Sequence, residues 1–266
     1  MIRKWCNKVY YKICRGIARI IFPKRKMDYA VLPEENEASV FVCNHSGAIG
    51  PVNMTLYFDR PARPWIVEYI LDKEVSANFV FHDFFFARSK KCKWFWRGLA
   101  RVVSFFLHPL LEMQNAIHVF KASAKARQTF DESVEALKSG SNVIIFPECP
   151  NKYSKYICEL YDGFVMIGKY LYEETGKILK FYPVYVPPQL KTINVGEPIS
   201  YNPSLSPKEN RHIIANYLKE QINIIAENLP KHKPIPFLTE DFYNYYGEFI
   251  DNMDEYWQFV NQKHSD

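Results

Sequence analysis

The chain has six cysteines but no CxxC pair, and no signal-peptide pattern opens it. Cys6, Cys14, Cys43, Cys92, Cys149 and Cys158 therefore read as free thiols of a reducing compartment, not as a disulfide scaffold. There is no Gly/Ser linker, low-complexity tract or internal repeat, so 266 residues fit one large domain with appendages. No apolar run is long enough to span a bilayer: bases interrupt the first 22 residues, and His108 and Pro109 fall inside Val102–Leu111. No nucleic-acid-binding motif is present. Ser46-Gly47 is not a GxSxG elbow, and Gly47-x-x-Gly50 is too little for a phosphate loop.

Acid is missing from the head of the chain. Residues 1–26 carry nine Lys/Arg and neither Asp nor Glu, whereas the remainder has 25 basic and 29 acidic residues. A basic head on a mildly acidic body points to a local anionic partner rather than to nucleic acid. At about 100° per residue, Lys4, Lys8, Lys12, Arg15 and Arg19 share one helical stripe. Ile2, Trp5, Cys6, Val9, Ile13, Ile17 and Ile20 take the opposite face. That pattern suits a helix lying in an anionic membrane interface. The competing reading is an ordinary surface helix docked by its Ile face.

Aromatic residues, at 16%, are abundant enough for either a large core or an interfacial surface. Trp94, Phe95 and Trp96 are interleaved with Arg88, Lys90, Lys91, Lys93, Arg97 and Arg101. Such a segment stacks on RNA, forms an interfacial patch, or is a core helix with a solvated charged face.

Between these segments the pattern alternates. Val40–Cys43 and Asn142–Phe146 read as buried strands, with further strands at Trp65–Ile70, Ile117–Phe120, Leu179–Val186 and Lys191–Val195. Helices are expected over 122–138, 162–175 and 207–229, the last introduced by Ser206-Pro207, with another beginning near Asn53. Residues 28–38 read as a polar connection, as does the stretch from Glu148 to Cys158. The helix-then-strand order argues for an α/β fold with a largely parallel central sheet flanked by helices. The expected organisation is a membrane-surface amphipathic helix over 1–26, an α/β domain over 27–230, and an acidic aromatic helical tail over 231–266.

The first buried strand ends in Asn44-His45 and a Gly-containing loop, and the later one ends in Phe146-Pro147-Glu148. Strand tips of this kind are where α/β folds place their chemistry. In order along the chain come Val42-Cys43-Asn44-His45, Ala116-Ile117-His118-Val119-Phe120-Lys121, Ile145-Phe146-Pro147-Glu148, Asp162-Gly163-Phe164, Phe181-Tyr182-Pro183-Val184 and Val195-Gly196-Glu197-Pro198-Ile199. This ordered series resembles the glycerophospholipid acyltransferase superfamily of PlsC type over about residues 38–200. The resemblance implies transfer of a fatty acyl group from acyl-CoA or acyl-carrier protein to a lysophospholipid or glycerol-phosphate hydroxyl at the cytoplasmic face of a membrane, with no metal or bound cofactor. His45 would be the general base that takes the hydroxyl proton. Glu148 would orient the acceptor or its surrounding loop, Asn44 would bind substrate or support His45, and Lys121 and Lys152 would hold the acceptor phosphate.

The chain departs from that family at three places. The family has an Asp five residues after its His, and here Gly50 stands there. The second-motif Arg is Lys121, which keeps a charge but loses the bidentate fork. After Glu148 the motif's Gly-Thr-Arg is replaced by Cys149-Pro150-Asn151, with Lys152 the nearest base. Loss of the carboxylate behind a catalytic His costs about 10⁴ in rate in serine proteases. Either Asp59, Glu68 or Asp72 replaces it, or the acceptor is unusual, or the protein is a lipid- or acyl-carrier-binding member that has lost the chemistry. An RNA-binding module remains the third alternative. Cys149 invites comparison with a thiol nucleophile, but nothing in its surroundings marks it as activated.

Overall fold

The computed structural model describes residues 12–20, 22–47, 49–67, 77, 80–81, 92–112, 115–120, 125–149 and 156–235. Lys121, Lys152, Glu68, Asp72, the first eleven residues and the tail from residue 236 lie outside them. So does most of the basic-aromatic stretch before Cys92.

Helix α1 covers residues 12–20 and is followed by strand β1, Lys26–Tyr29. The order continues β2 (Val40–Cys43), α2 (Ile49–Tyr57), β3 (Ala62–Val67), α3 (Lys93–Glu112), β4 (Ile117–Val119), α4 (Ala126–Lys138) and β5 (Asn142–Ile145). A two-stranded hairpin, β6 (Glu148–Cys149) with β7 (Glu159–Leu160), leads through a 3₁₀ turn at Asp162–Val165 into α5 (Met166–Thr175). Then come β8 (Lys180–Tyr185), β9 (Thr192–Val195), β10 (Ile199–Ser200) and α6 (Pro207–Asn228).

Eight strands form one sheet in the order β1-β9-β8-β2-β5-β3-β4, with β10 paired to β8. The five strands from β8 to β4 are mutually parallel, so their C-terminal ends share one edge. β9 and β10 run antiparallel to β8. This is the largely parallel α/β architecture expected from the helix-strand alternation. Strands β2 and β5 read as unbroken apolar runs because neighbouring strands flank them on both sides and helices cover both faces.

The polar connection expected from residue 28 is instead partly strand: Lys26–Tyr29 pairs with Thr192–Val195 at the sheet edge. Its half-exposed residues show the weak alternation of an edge, which composition alone does not separate from a loop. β3 begins three residues before the predicted Trp65. β6 falls in the stretch read as a polar connection, and β7 and β10 were not read as strands; each is two residues long and held by tertiary pairing.

Pro183 lies inside β8, where a missing N–H would normally disrupt pairing. Its carbonyl accepts from Gly196 N–H at 2.9 Å. The proline nitrogen points to the same side, into the gap where β9 has ended and β10 has not begun, so no donor is lost. A Cβ at Gly196 would meet Ile225 Cδ1 at 2.9 Å and Pro183 Cγ at 3.0 Å, so a larger residue there requires the Ile225 side chain to shift.

Two apolar layers sandwich the sheet. One collects Val40, Val42, Val143, Ile145 and Phe181 under α4, α5 and α6. The other collects Phe41, Ile144, Tyr182 and Val184 under α2, with Met54 at its centre. The alternation of Val40/Val42 and Phe41/Cys43 between layers is the two-residue period of a strand buried on both faces. Helix α6 begins with a capping box, Ser206 with Glu209, and Pro207 at its first turn. Below the sheet edge, the buried Arg25 guanidinium donates to the carbonyls of Pro187, Leu190 and Pro188, and so clamps the loop between β8 and β9.

Phe41 is fully buried, stacked on Tyr182 at 5.0 Å and edge-on to Phe58 at 4.8 Å. Phe41→Ala is expected to lower the unfolding free energy by about 3–5 kcal/mol. The check is a lower urea midpoint with an unchanged slope.

Candidate functional site

The site follows from strand register. β2 and β5 are parallel neighbours, with Val42 opposite Ile145. Each chain then runs three residues further, so His45 arrives beside Glu148 at the shared C-terminal edge. Glu148 Oε1 accepts the His45 backbone N–H at 2.5 Å and lies 3.2 Å from His45 Nδ1. Glu148 Oε2 accepts the Cys158 backbone N–H at 3.1 Å. The Glu148 side chain is 1% exposed and that of His45 is 20% exposed, so the carboxylate is sealed while the imidazole reaches the surface. The β6–β7 hairpin supplies Cys158 to this arrangement, because Glu148 and Cys149 pair with Leu160 and Glu159. Burial pushes the Cys158 thiol up to about 12, with the Glu148 charge adding to the effect. It therefore stays a protonated thiol at neutral pH.

Asn44 does a different job. Its side chain has no exposed surface; Oδ1 accepts from Val186 N–H at 2.7 Å and Nδ2 donates to Ser46 Oγ at 2.7 Å. Ser46 Oγ in turn donates to the Val186 carbonyl at 3.0 Å. This closed triangle ties the β2 tip to the β8 tip and holds Ser46 and Gly47 in left-handed backbone, at φ of 46° and 61°. The substrate-binding role expected of Asn44 does not fit that geometry: both ends of its amide are spent inside the protein, on the loop that carries His45.

The structure explains Gly50. It sits in the first turn of α2, where its N–H donates to the His45 carbonyl at 2.8 Å. A Cβ at this position would lie 2.2 Å from the Asn44 carbonyl oxygen and 2.6 Å from that of His45. Any side chain here requires the helix to move off the strand tip. Of the substitute carboxylates considered, Asp59 accepts from the Tyr29 hydroxyl at 2.5 Å, while Glu68 and Asp72 lie outside the described residues. The expected acceptor-orienting role of Glu148 meets a side chain with little exposed surface, whose two oxygens are taken by His45 and Cys158. Lys121 and Lys152 lie outside the described residues; β4 ends at Val119 on this same edge, where Thr129 Oγ1 donates to the His118 carbonyl at 2.7 Å.

Beside the imidazole, the Phe146 ring lies 5.3 Å from that of His45 and forms one wall of a small open groove of about 80 Å³. Pro51, Met54, Thr55 and Phe58 of the α2 segment make another wall. Ala62, Pro64 and Ile144 make the floor, and Arg60 stands at the margin. The Arg60 guanidinium is held by the Pro33 and Glu34 carbonyls. An imidazole backed by a buried carboxylate, beside the Phe146 ring that lines this groove, can take a proton from a hydroxyl held beside an apolar chain.

With that geometry in view, residues 25–186 match the family described as Acyltransferase, more than half of the chain. The chain belongs to the Acyltransferase family. Its matched region contains β1 through β8 and thus every element that builds the site. The search of curated proteins found no match. Among solved structures, the 1-acyl-sn-glycerophosphate (LPA) acyltransferase PlsC from Thermotoga maritima is similar at 15% identity, covering 86% of this chain and 85% of that one, with a TM-score of 0.47.

Sequence reasoning missed the chain that crosses this edge after α6. Tyr185 donates its hydroxyl to His232 Nε2 at 2.8 Å, because His232 Nδ1 faces the Pro230 carbonyl at 2.9 Å and must carry the proton. Burial, with Tyr156 and Glu148 nearby, pushes the Tyr185 phenol up. Three residues on, Ile235 Cγ2 lies within van der Waals reach of the space above Gly47. No motif marks His232; only the paired aromatic strand end at Tyr185 hinted that a partner was needed.

Asn44→Ala leaves the buried Val186 N–H without its acceptor, at a cost of about 1–3 kcal/mol. At about 2–4 °C per kcal/mol for a domain of this size, thermal unfolding should shift downward measurably. Asn44→Asp, which keeps the acceptor, should lose less.

Proposed function

We propose that this family member transfers a fatty acyl group from a thioester, acyl-CoA or acyl-carrier protein, to the hydroxyl of a lysophospholipid or glycerol phosphate at a membrane surface. The observation that carries the reading is His45: a partly exposed imidazole at the tip of a central parallel strand, backed by a sealed carboxylate and beside Phe146, which lines the groove. In this reading the acyl chain lies along the groove past Phe146, which brings the thioester carbonyl to the imidazole. His45 Nε2 takes the acceptor's hydroxyl proton as the oxygen attacks that carbonyl. The tetrahedral adduct collapses by expelling the thiolate, which recovers the proton from the imidazolium and leaves as a thiol. The products are an ester and a free thiol, with His45 neutral again.

The helix α1 supports the membrane half of the proposal. Its inward stripe is Cys14, Arg15 and Ala18, with Arg15 Nη2 donating to the Leu56 carbonyl at 3.2 Å and Arg19 near the Tyr57 ring. Ile13, Ile17 and Ile20 point away from the domain, Ile20 being 84% exposed. The Ile face is thus not the docking face of this helix. On α3, Trp94, Phe95, Val102 and Phe105 are also exposed, while Trp96, Ala100 and Val103 pack inward with Phe81. An outward apolar stripe on a segment rich in Lys and Arg suits an anionic lipid interface. Among the described residues no helix is long and apolar enough to cross a membrane.

Purified protein given palmitoyl-CoA and a panel of lysophospholipids in anionic vesicles is expected to release free thiol, and His45→Ala to abolish that release. Turnover that survives His45→Ala sinks the mechanism. Lipid binding without turnover by any pair favours a binding protein that has lost the chemistry.

The membrane contact has its own check. Covering an Ile side chain is worth about 1.5–3 kcal/mol. Replacing Ile13, Ile17 and Ile20 together by Ser should therefore weaken co-sedimentation with anionic vesicles more than about tenfold. Unchanged binding would place the contact elsewhere.

A further inference from the structure

In this family the carboxylate behind the catalytic His is expected five residues after it, and that position is Gly50. We infer that Glu148 is the positioning residue for His45, and that Gly50 is the consequence of the same rearrangement rather than a simple loss. The inference rests on the acyl-transfer reading for the identity of the proton that His45 removes. The pairing itself is a property of the chain.

Two backbone N–H groups and one imidazole nitrogen converge on Glu148. Oε1 faces both the backbone N–H and the Nδ1 of His45, at 2.5 and 3.2 Å, and Oε2 faces the backbone N–H of Cys158 at 3.1 Å. A side chain that is 1% exposed and receives a backbone N–H on each oxygen presents Oε1 to the imidazole as an acceptor. With Oε1 as the acceptor, Nδ1 carries the imidazole proton, and Nε2 is the nitrogen able to accept one. This is the tautomer a general base needs, and it is the service an orienting Asp provides in a hydrolase triad.

The main chain of His45 is held from both sides. Its N–H goes to Glu148 and its carbonyl accepts from Gly50 N–H at 2.8 Å. That second bond is possible because α2 begins directly against the strand tip, in space that a Cβ at position 50 would occupy at 2.2 Å from the Asn44 carbonyl. A carboxylate at position 50 and this close helix start exclude one another. The chain has the close start, and the carboxylate arrives from β5 through its equal register with β2. During transfer the hydroxyl proton passes to Nε2, the imidazolium stands against Glu148, and the proton leaves with the thiol.

The test has two arms on the full-length protein. In the first, the ring nitrogens of histidine are labelled with ¹⁵N, and the His45 signals are assigned by their loss in His45→Gln. The expected result is a neutral His45 protonated at Nδ1, with Glu148→Gln altering that signal. A wild-type His45 protonated at Nε2 overturns the proposal, whether or not Glu148→Gln folds and whether or not any substrate turns over.

The second arm measures thiol release from palmitoyl-CoA with lysophosphatidic acid. Glu148→Gln is expected to lower kcat by about 10²–10⁴ with little change in acceptor KM. Glu148→Asp should recover part of the rate. The double variant Gly50→Asp, Glu148→Gln should recover none, because the backbone around position 50 has no room; full recovery would overturn the proposal. Absence of thiol release from wild-type protein would defeat the acyl-transfer reading alone, leaving the positioning role to the tautomer.

Discussion

Parallel pairing of Val40–Val42 with Val143–Ile145 is the constraint on which the site depends. The two strands are 103 positions apart at every pair, and so are His45 and Glu148. A slip of one residue would turn Val42 and Ile145 toward the other apolar layer and carry Glu148 away from the imidazole. Burial of both strand faces therefore fixes the register that brings His45 to Glu148. The stability of the core and the geometry of the site are one requirement here.

The same tip shows how close packing constrains what residues can stand beside His45. Asn44 uses all of its side chain to join the tips of β2 and β8, and Ser46 and Gly47 adopt left-handed backbone to turn the chain toward α2. The helix then starts so near the strand that only glycine fits at position 50. A departure that reads as damage in a one-dimensional motif is, in three dimensions, compatible with a carboxylate already waiting on the neighbouring strand.

Helix α2 links the site to its surroundings. Its first turn holds His45, its Met54 and Thr55 line the groove, and its last turn receives Arg15 and lies near Arg19 of α1. With its polar contacts made inward, α1 presents isoleucines outward. A lipid surface lying on that stripe would be one helix away from the groove. The proposed membrane contact on α1 and the proposed acyl groove are thus joined through one short element, α2.

From the sequence alone, the α/β class, the two buried strands, the tip residues His45 and Glu148 and the family resemblance were all legible, because each rests on local periodicity or on contiguous residues. The sequence also showed that position 50 is not Asp. What it could not decide was the consequence. Equal register between two strands, the crowding that excludes a Cβ at Gly50, the full occupation of the Asn44 amide and the outward turn of the α1 isoleucines are relations between segments distant in the chain. Edge strand β1 and the crossing at His232 stayed hidden for the same reason: their partners, Thr192–Val195 and Tyr185, are brought to them only by the folded sheet. Residue types named the candidates, and packing assigned their work.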